Sequence, residues 1–159
     1  MSFTQAGVNV TLTPKFCFGV NKDIPDNVHL VDDDRKLLYV AGHNVIVYSL
    51  DEKTQNFIQG AELMESISAI AVAPIVNHVR PPLVAICEKG AKSTKQKGSY
   101  DRYAQCRILN YNTRDVIREI VPLELDPEFK SLEFLGVTFC PRQPERYVLT
   151  LAGQPEWCV

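Results

Sequence analysis

The stretch Lys36–Gly60, KLLYVAGHNVIVYSLDEKTQNFIQG, decides how the rest of the chain is read. Leu37-Leu38-Tyr39-Val40-Ala41 is a run of β-forming and aliphatic side chains. It stops at Gly42-His43-Asn44, where a glycine takes a positive φ without steric penalty. Val45 to Leu50 is again almost wholly β-forming, Asp51-Glu52-Lys53-Thr54 supplies a polar turn, and Asn56-Phe57-Ile58 opens a third run before Gly60. Each run is too short for an ordinary helix, so the pattern predicts three antiparallel strands. A small meander leaves an apolar face wet. The remaining chain must cover that face.

Upstream, Val8 to Thr13 alternates apolar and polar residues and reads as a strand halted by Pro14, with residues 1 to 6 frayed. Phe16-Cys17-Phe18-Gly19-Val20 leads into the turn-rich connector Asn21 to Asp26. Asn27-Val28-His29-Leu30-Val31 is a further strand, and the like charges of Asp32-Asp33-Asp34 suit a solvated turn. A four-stranded antiparallel sheet is therefore expected from about 27 to 60.

Downstream the plan recurs. Ser66 to Ala73 reads as a strand buried on both faces, ended by Pro74. Pro82 to Glu88, Tyr103 to Tyr111 and Val116 to Val121 supply three more strands. Ser131 to Cys140 and Tyr147 to Gly153 begin a third pass, and Pro155 to Val159 looks like the opening of another strand. The second strands begin near 37, 82 and 147, spacings of about 45 and about 65 residues, the longer containing a 14-residue polar loop. Four-stranded units at this period mark the blades of a β-propeller. The expected architecture is all-β, a partial propeller of about two and a half four-stranded antiparallel blades. Its parts are an N-terminal strand and connector (1–26), a first blade (27–60), a second blade with the loop 89–102 (61–122) and an incomplete third (123–159). A ring needs at least four blades, so the chain is expected to be a piece of a longer polypeptide.

The composition limits the function. With 159 residues, 45% hydrophobic, 23% charged and a net charge of −2, the chain suits a globular domain rather than disorder or charge-driven nucleic-acid binding. No apolar run reaches the length of a membrane span. The five cysteines Cys17, Cys87, Cys106, Cys140 and Cys158 are widely spaced without a C-x-x-C, and four lie among apolar neighbours. Free buried thiols are expected rather than a disulfide frame.

Catalytic motifs are missing. Gly90-Ala91-Lys92-Ser93-Thr94 lacks the adjacent Gly-Lys, the earlier glycine and the following helix of a phosphate-binding loop. His29, His43 and His78 are scattered, and Asp32-Asp33-Asp34 lacks the spaced ligands of a calcium loop. Neither a G-x-S-x-G elbow nor a Cys–His pair occurs at a suggestive spacing. A non-enzymatic chain without catalytic residues, metal, cofactor or small-molecule substrate is expected. What remains is a surface. The loop KGAKSTKQKGSYDR carries Lys89, Lys92, Lys95, Lys97 and Arg102, with Tyr100 inside it and Tyr103 beside it. In an otherwise acidic chain this basic, aromatic loop is the candidate contact for an acidic protein surface.

Several of these strands also match a known family. The order Asn27-Val28-His29-Leu30-Val31-Asp32, a strand pair, then Gln55-Asn56-Phe57-Ile58-Gln59-Gly60-Ala61-Glu62 resembles the N-terminal WD-repeat region of the cilia- and flagella-associated protein 57 family. Phe134 to Pro141, Tyr147-Val148-Leu149 and the aromatic Trp157 are similar as well. The resemblance implies a WD40-type propeller acting as a non-catalytic scaffold in the cytoplasm and the axoneme of cilia or flagella. It implies a part in assembling and docking inner dynein arms on doublet microtubules. The partners it implies are other axonemal proteins (inner dynein arm or regulatory complex subunits, a tubulin face) and the rest of the chain's own propeller, with no nucleic acid and no membrane. The competing reading is a cytosolic WD-repeat adaptor or translation-related propeller unrelated to cilia. In that family a long coiled coil follows the propellers, and no heptad run occurs here.

Overall fold

A computed structural model of the chain describes residues 2–5, 8–11, 15–74, 82–91, 103–121 and 132–154. These residues form twelve strands and no helix. The strands are β1 (Ser2–Gln5), β2 (Val8–Thr11), β3 (Val28–Val31), β4 (Lys36–Ala41), β5 (Asn44–Ser49) and β6 (Thr54–Gln59). They continue as β7 (Ser66–Val72), β8 (Leu83–Lys89), β9 (Gln105–Asn110), β10 (Val116–Ile120), β11 (Phe134–Phe139) and β12 (Val148–Ala152). All pairing is antiparallel between sequence neighbours. The sheets are β1-β2, the meander β3-β4-β5-β6, the meander β7-β8-β9-β10 and β11-β12.

The expected strands from Val28 to Ala152 are present. One expectation at the N-terminus needs correcting: Ser2–Gln5 is not frayed but pairs with Val8–Thr11, Phe3 opposite Val10. The β4–β5 hairpin closes on Gly42-His43, with Ala41 opposite Asn44 and Gly42 at φ 59°. A side chain at Gly42 would be strained there although the space around it is empty. The β3–β4 turn is stranger. Asp32, Asp33 and Asp34 all hold left-handed backbone, φ 53°, 55° and 62°. Aspartate, like asparagine, tolerates that region better than most side chains because its short polar group can bond locally. Buried Asn27 ties the incoming connector to the sheet. Its amide donates to the Asn21 and Val40 carbonyls (2.7 and 3.1 Å), and its oxygen accepts the Val40 N–H (2.6 Å).

Two cores hold the sheets together, one on each face of the second meander. The first joins Val31, Leu38, Val40, Val45, Val47 and Ile58 of the first meander to Ile67, Ile70, Val84, Ile86, Leu109 and Tyr111 of the second. The second core lies on the opposite face, where Ala69, Ala71, Leu83, Ala85, Cys87 and Cys106 meet Phe134, Phe139 and Ala152. Alternation explains the division. Along β8, Val84 and Ile86 point one way and Leu83, Ala85 and Cys87 the other, so a strand with two buried faces reads as a continuous apolar run.

Bulges complete the pattern. In β7 the register slips between Ile67 and Ala69, and in β11 between Phe134 and Gly136. Side-chain direction has a period of two, so without the extra residue Ile67 would share the face of Ala69 and Ala71. With it, Ile67 joins Ile70 on the first core, and Phe134 likewise joins Val137 and Phe139 on the second. The two strands align as Ile67-x-Ala69-Ile70-x-Val72-x-Pro74 and Phe134-x-Gly136-Val137-x-Phe139-x-Pro141. Each uses the same face to cover the sheet before it. The equivalent face of β3 exposes Val28 and Leu30, and the far face of the third sheet exposes Leu149 and Leu151. This is the arrangement of consecutive propeller blades, with the ring not closed.

Candidate functional site

The described ends of the candidate loop, Lys89 to Ala91 and Tyr103, stand at the end of the second meander next to the segments that enter β7 and β11. At its foot, Glu65 N–H donates to the Lys89 carbonyl (3.0 Å) and Gly90 N–H to the Leu132 carbonyl (2.7 Å). These bonds join the loop's base to the strand entering from the first sheet and to the strand leading to the third. Lys89 is half-buried and lies 3.6 Å from Glu65 and 3.9 Å from Glu133, so its charge serves the rim itself. Tyr103 is half-buried at the start of the return strand. Lys92, Lys95, Lys97, Tyr100 and Arg102 lie outside the described residues, as do His78, Trp157 and Cys158.

Beside Lys89 and Gly90, where β8 ends and β9 begins, lies a buried ionic cluster. Glu88, the last inward residue of β8, is fully buried, and Arg107 on β9 is 11% exposed. The guanidinium grips the carboxylate with two bonds, Nε to Oε2 at 2.9 Å and Nη2 to Oε1 at 2.8 Å. Gln105 donates to Oε2 (2.8 Å) and the Ala61 N–H to Oε1 (2.5 Å), so each oxygen accepts two bonds. Arg107 Nη2 also donates to the Gln59 carbonyl (3.0 Å). The pair thus fastens the exit of the first meander to the middle of the second. Bidentate geometry with every lone pair used is the condition under which a buried ion pair offsets its desolvation.

A second tie stands near the opposite end. Buried Tyr111 donates its hydroxyl to Asp32 Oδ1 (2.8 Å), and Lys36 Nζ lies 2.6 Å from Asp32 Oδ2. Lys36 also reaches Asn112 Oδ1 (3.1 Å), and Arg114 donates to Asn56 Oδ1 (3.0 Å). Asp32 is therefore more than a solvated turn residue: it bridges the two meanders. Burial works to raise its carboxyl, but the hydrogen bonds from Lys36 and Tyr111 and the charges of Lys36 and Arg35 prevail and hold it below its ordinary value. Burial, then the bond to Asp32 and its charge, push the Tyr111 phenol well above its usual range.

These shifts give the interface a pH window. The Asp32 contribution is present above the ordinary carboxylate range and is lost as pH falls through its lowered folded value. The Tyr111 contribution is present below about pH 10, the phenol's unfolded value, and is lost as pH rises toward the raised folded one. Replacing Tyr111 with phenylalanine is expected to cost about 1 kcal/mol near neutrality, the bond being partly exposed at its Asp32 end. It is also expected to flatten the alkaline loss of stability; urea unfolding near pH 7 and above pH 10 measures both.

His29 is half-buried on β3, and burial lowers its pKa against the opposing charge of Asp26. A cavity of about 290 Å³ opens where β3, β7 and β11 approach one another, lined by Asp26, His29, Ala71, Gly136 and Thr138 among others. Among the described residues, Nε2 of both His29 and His43 is buried without a hydrogen-bond partner, and the His43 ring lies directly against Gly60. Among the described residues no three His, Cys, Asp or Glu side chains converge to hold a metal, and no helix is long and apolar enough to cross a membrane.

Reading the sequence missed the Glu88–Arg107 cluster, although a signal was present. One acid and one base interrupt otherwise apolar strands joined as a hairpin. In the observed register Glu88 faces Gln105 and Arg107 faces Ile86, which makes the charged residues diagonal neighbours.

Comparison with known proteins bears on what this rim serves. No protein-family model matches the chain. Cilia- and flagella-associated protein 57 C of Tetrahymena thermophila is 28% identical over 111 residues, covering 62% of this chain. The chain is similar to cilia- and flagella-associated protein 57. The family named by the strand-and-turn resemblance and the family of this relative are the same. The chain spans 8% of that relative's length, so the similarity to cilia- and flagella-associated protein 57 C concerns one stretch of a much larger protein.

Proposed function

We propose that this chain is a stretch of a non-catalytic WD-repeat scaffold of the cilium or flagellum. Its stacked sheets hold rim loops in place for neighbouring axonemal proteins. The supporting observation is the similarity to a cilia- and flagella-associated protein over 62% of the chain. The fold suits the task, since loops set on already ordered strands lose little entropy on binding. The finer role is assembly and docking of inner dynein arms on doublet microtubules. The partners are inner-arm or regulatory complex subunits and an acidic tubulin face met by the basic loop.

Two measurements test this. The gene product carrying this chain, tagged in a ciliated cell, is expected in the demembranated axoneme and to leave it only under high salt. Recovery solely in the cytosol would favour the adaptor reading. For the loop, Lys92, Lys95, Lys97 and Arg102 are changed to serine while Lys89 is kept, because Lys89 already pairs with Glu65 and Glu133. Four ion pairs near the low end of the surface range, about 0.35 kcal/mol each, correspond to roughly tenfold weaker co-sedimentation with microtubules. Unchanged co-sedimentation would remove the tubulin contact and leave the scaffold reading intact.

A further inference from the structure

Two of the free cysteines stand directly opposite one another. Cys87 on β8 is the register partner of Cys106 on β9, and both are fully buried. The ladder's phase follows from the bond of Tyr111 N–H to the Pro82 carbonyl (3.0 Å), which marks 82/111 as a hydrogen-bonded pair. Antiparallel pairs alternate, so 84/109, 86/107 and 88/105 are bonded pairs, whereas 83/110, 85/108 and 87/106 are not. At a non-bonded pair the Cα atoms approach to about 4.5 Å with side chains on the same face. A disulfide needs Cα atoms about 4.4–6.8 Å apart, so the bridge can close with little movement of the strands. The surroundings leave room for it, since Ala69, Ala71, Ala85 and Ala104 share this core. Neither Cys17 nor Cys140 lies on a strand opposite another cysteine.

We propose that Cys87 and Cys106 form a reversible redox couple, a dithiol that a small-molecule disulfide of the glutathione class converts into a cross-strand disulfide between β8 and β9. One thiol, deprotonated, attacks the oxidant, forming a mixed disulfide and releasing one glutathione thiolate. The second, deprotonated in turn, displaces the other glutathione and closes the Cys87–Cys106 bond. Two electrons pass from the protein sulfurs to the oxidant, and the two protons end on the two glutathione thiols. Both thiols are closed off from solvent. The hydrogen bond to Cys106, then burial and the Cys106 and Glu88 charges, raise the Cys87 thiol well above its ordinary range, so little Cys87 thiolate forms while the sheet is closed. Exchange therefore proceeds as the strands part locally or before the sheets assemble. The bond would close residues 87 to 106, the segment carrying the basic loop, into a covalent ring. This inference stands on the strand geometry and does not depend on the ciliary reading.

The test equilibrates the chain in glutathione buffers of graded oxidation, quenches with acid, alkylates free thiols and maps peptides by mass spectrometry. A Cys87–Cys106 linked peptide is expected, rising with the oxidised fraction and reverting to two thiols when reduced glutathione is restored. Cys17→Ser and Cys140→Ser are expected to keep the link, and Cys87→Ser to abolish it. Should that last variant fail to fold, the map of the unaltered chain still decides. Two free thiols at every ratio, glutathione adducts without a link, or linkage of either residue to Cys17, Cys140 or Cys158 instead would overturn the proposal.

Discussion

Replacing Arg107 with alanine is expected to destabilise the chain by about 3–5 kcal/mol, the cost of leaving a buried carboxylate without its counter-ion. Arg107 supplies two of the four bonds to Glu88 and one to the Gln59 carbonyl. Without it, Glu88 keeps only Gln105 and the Ala61 N–H, at a site closed to water. The injury falls on the junction between the two meanders, so their packing should loosen together. Lysine at 107 would retain a charge but lose the fork, and an intermediate loss is expected. Replacing both residues together, Glu88→Leu with Arg107→Met, is expected to recover much of the deficit, because neither charge is then buried alone. Urea unfolding of the four proteins measures the series. A loss below about 1 kcal/mol for the alanine variant would show that the carboxylate reaches water, contrary to its burial.

Truncating Ile86 to alanine is expected to cost about 2–5 kcal/mol, through lost transfer energy and the cavity left behind. Ile86 is fully buried on the face of β8 that meets the first meander. Close-packed sheets collapse poorly around such a void, which places the expectation toward the upper part of that range. Ile117 on β10 is the natural control. It has the same side chain on a strand of the same sheet, but is 56% exposed, and its replacement by alanine is expected to stay within about 0.5 kcal/mol. Denaturant midpoints at constant m-value read the contrast. Equal losses at the two positions would mean that the second meander is not covered on the Ile86 face.

Much of this fold was legible in the residues. Gly42 and the polar run Asp51–Thr54 punctuate β-forming segments, so the β4-β5-β6 meander could be read directly. β7 could be read as doubly buried because apolar side chains occupy both parities of its run. The rest depended on long-range partners. Ser2–Gln5 carries no strong strand signal and becomes a strand only through Val8–Thr11. The bulges after Ile67 and Phe134 resist strict alternation, and their purpose shows only once each sheet is seen to cover the one before it. Asp32 looked like one of three equivalent turn carboxylates. Its bond to Tyr111 crosses 79 positions of sequence, a separation that local pattern cannot reach. Glu88 was hidden in an apolar run for the same reason, its partners arriving from the return strand and the preceding sheet.

The claim on which the account rests is that the second meander lies between its neighbours, one face against each. Methyl-labelled nuclear Overhauser spectroscopy of the chain measures this directly. Cross-peaks are expected between the methyls of Val40, Val45 or Val47 and those of Val84 or Ile86, and separately between the Ala69, Ala71 or Ala85 methyls and the Phe134 or Phe139 rings. Contacts confined within each sheet, or both neighbouring sheets contacting the same face of β8, would contradict the stacked-blade arrangement.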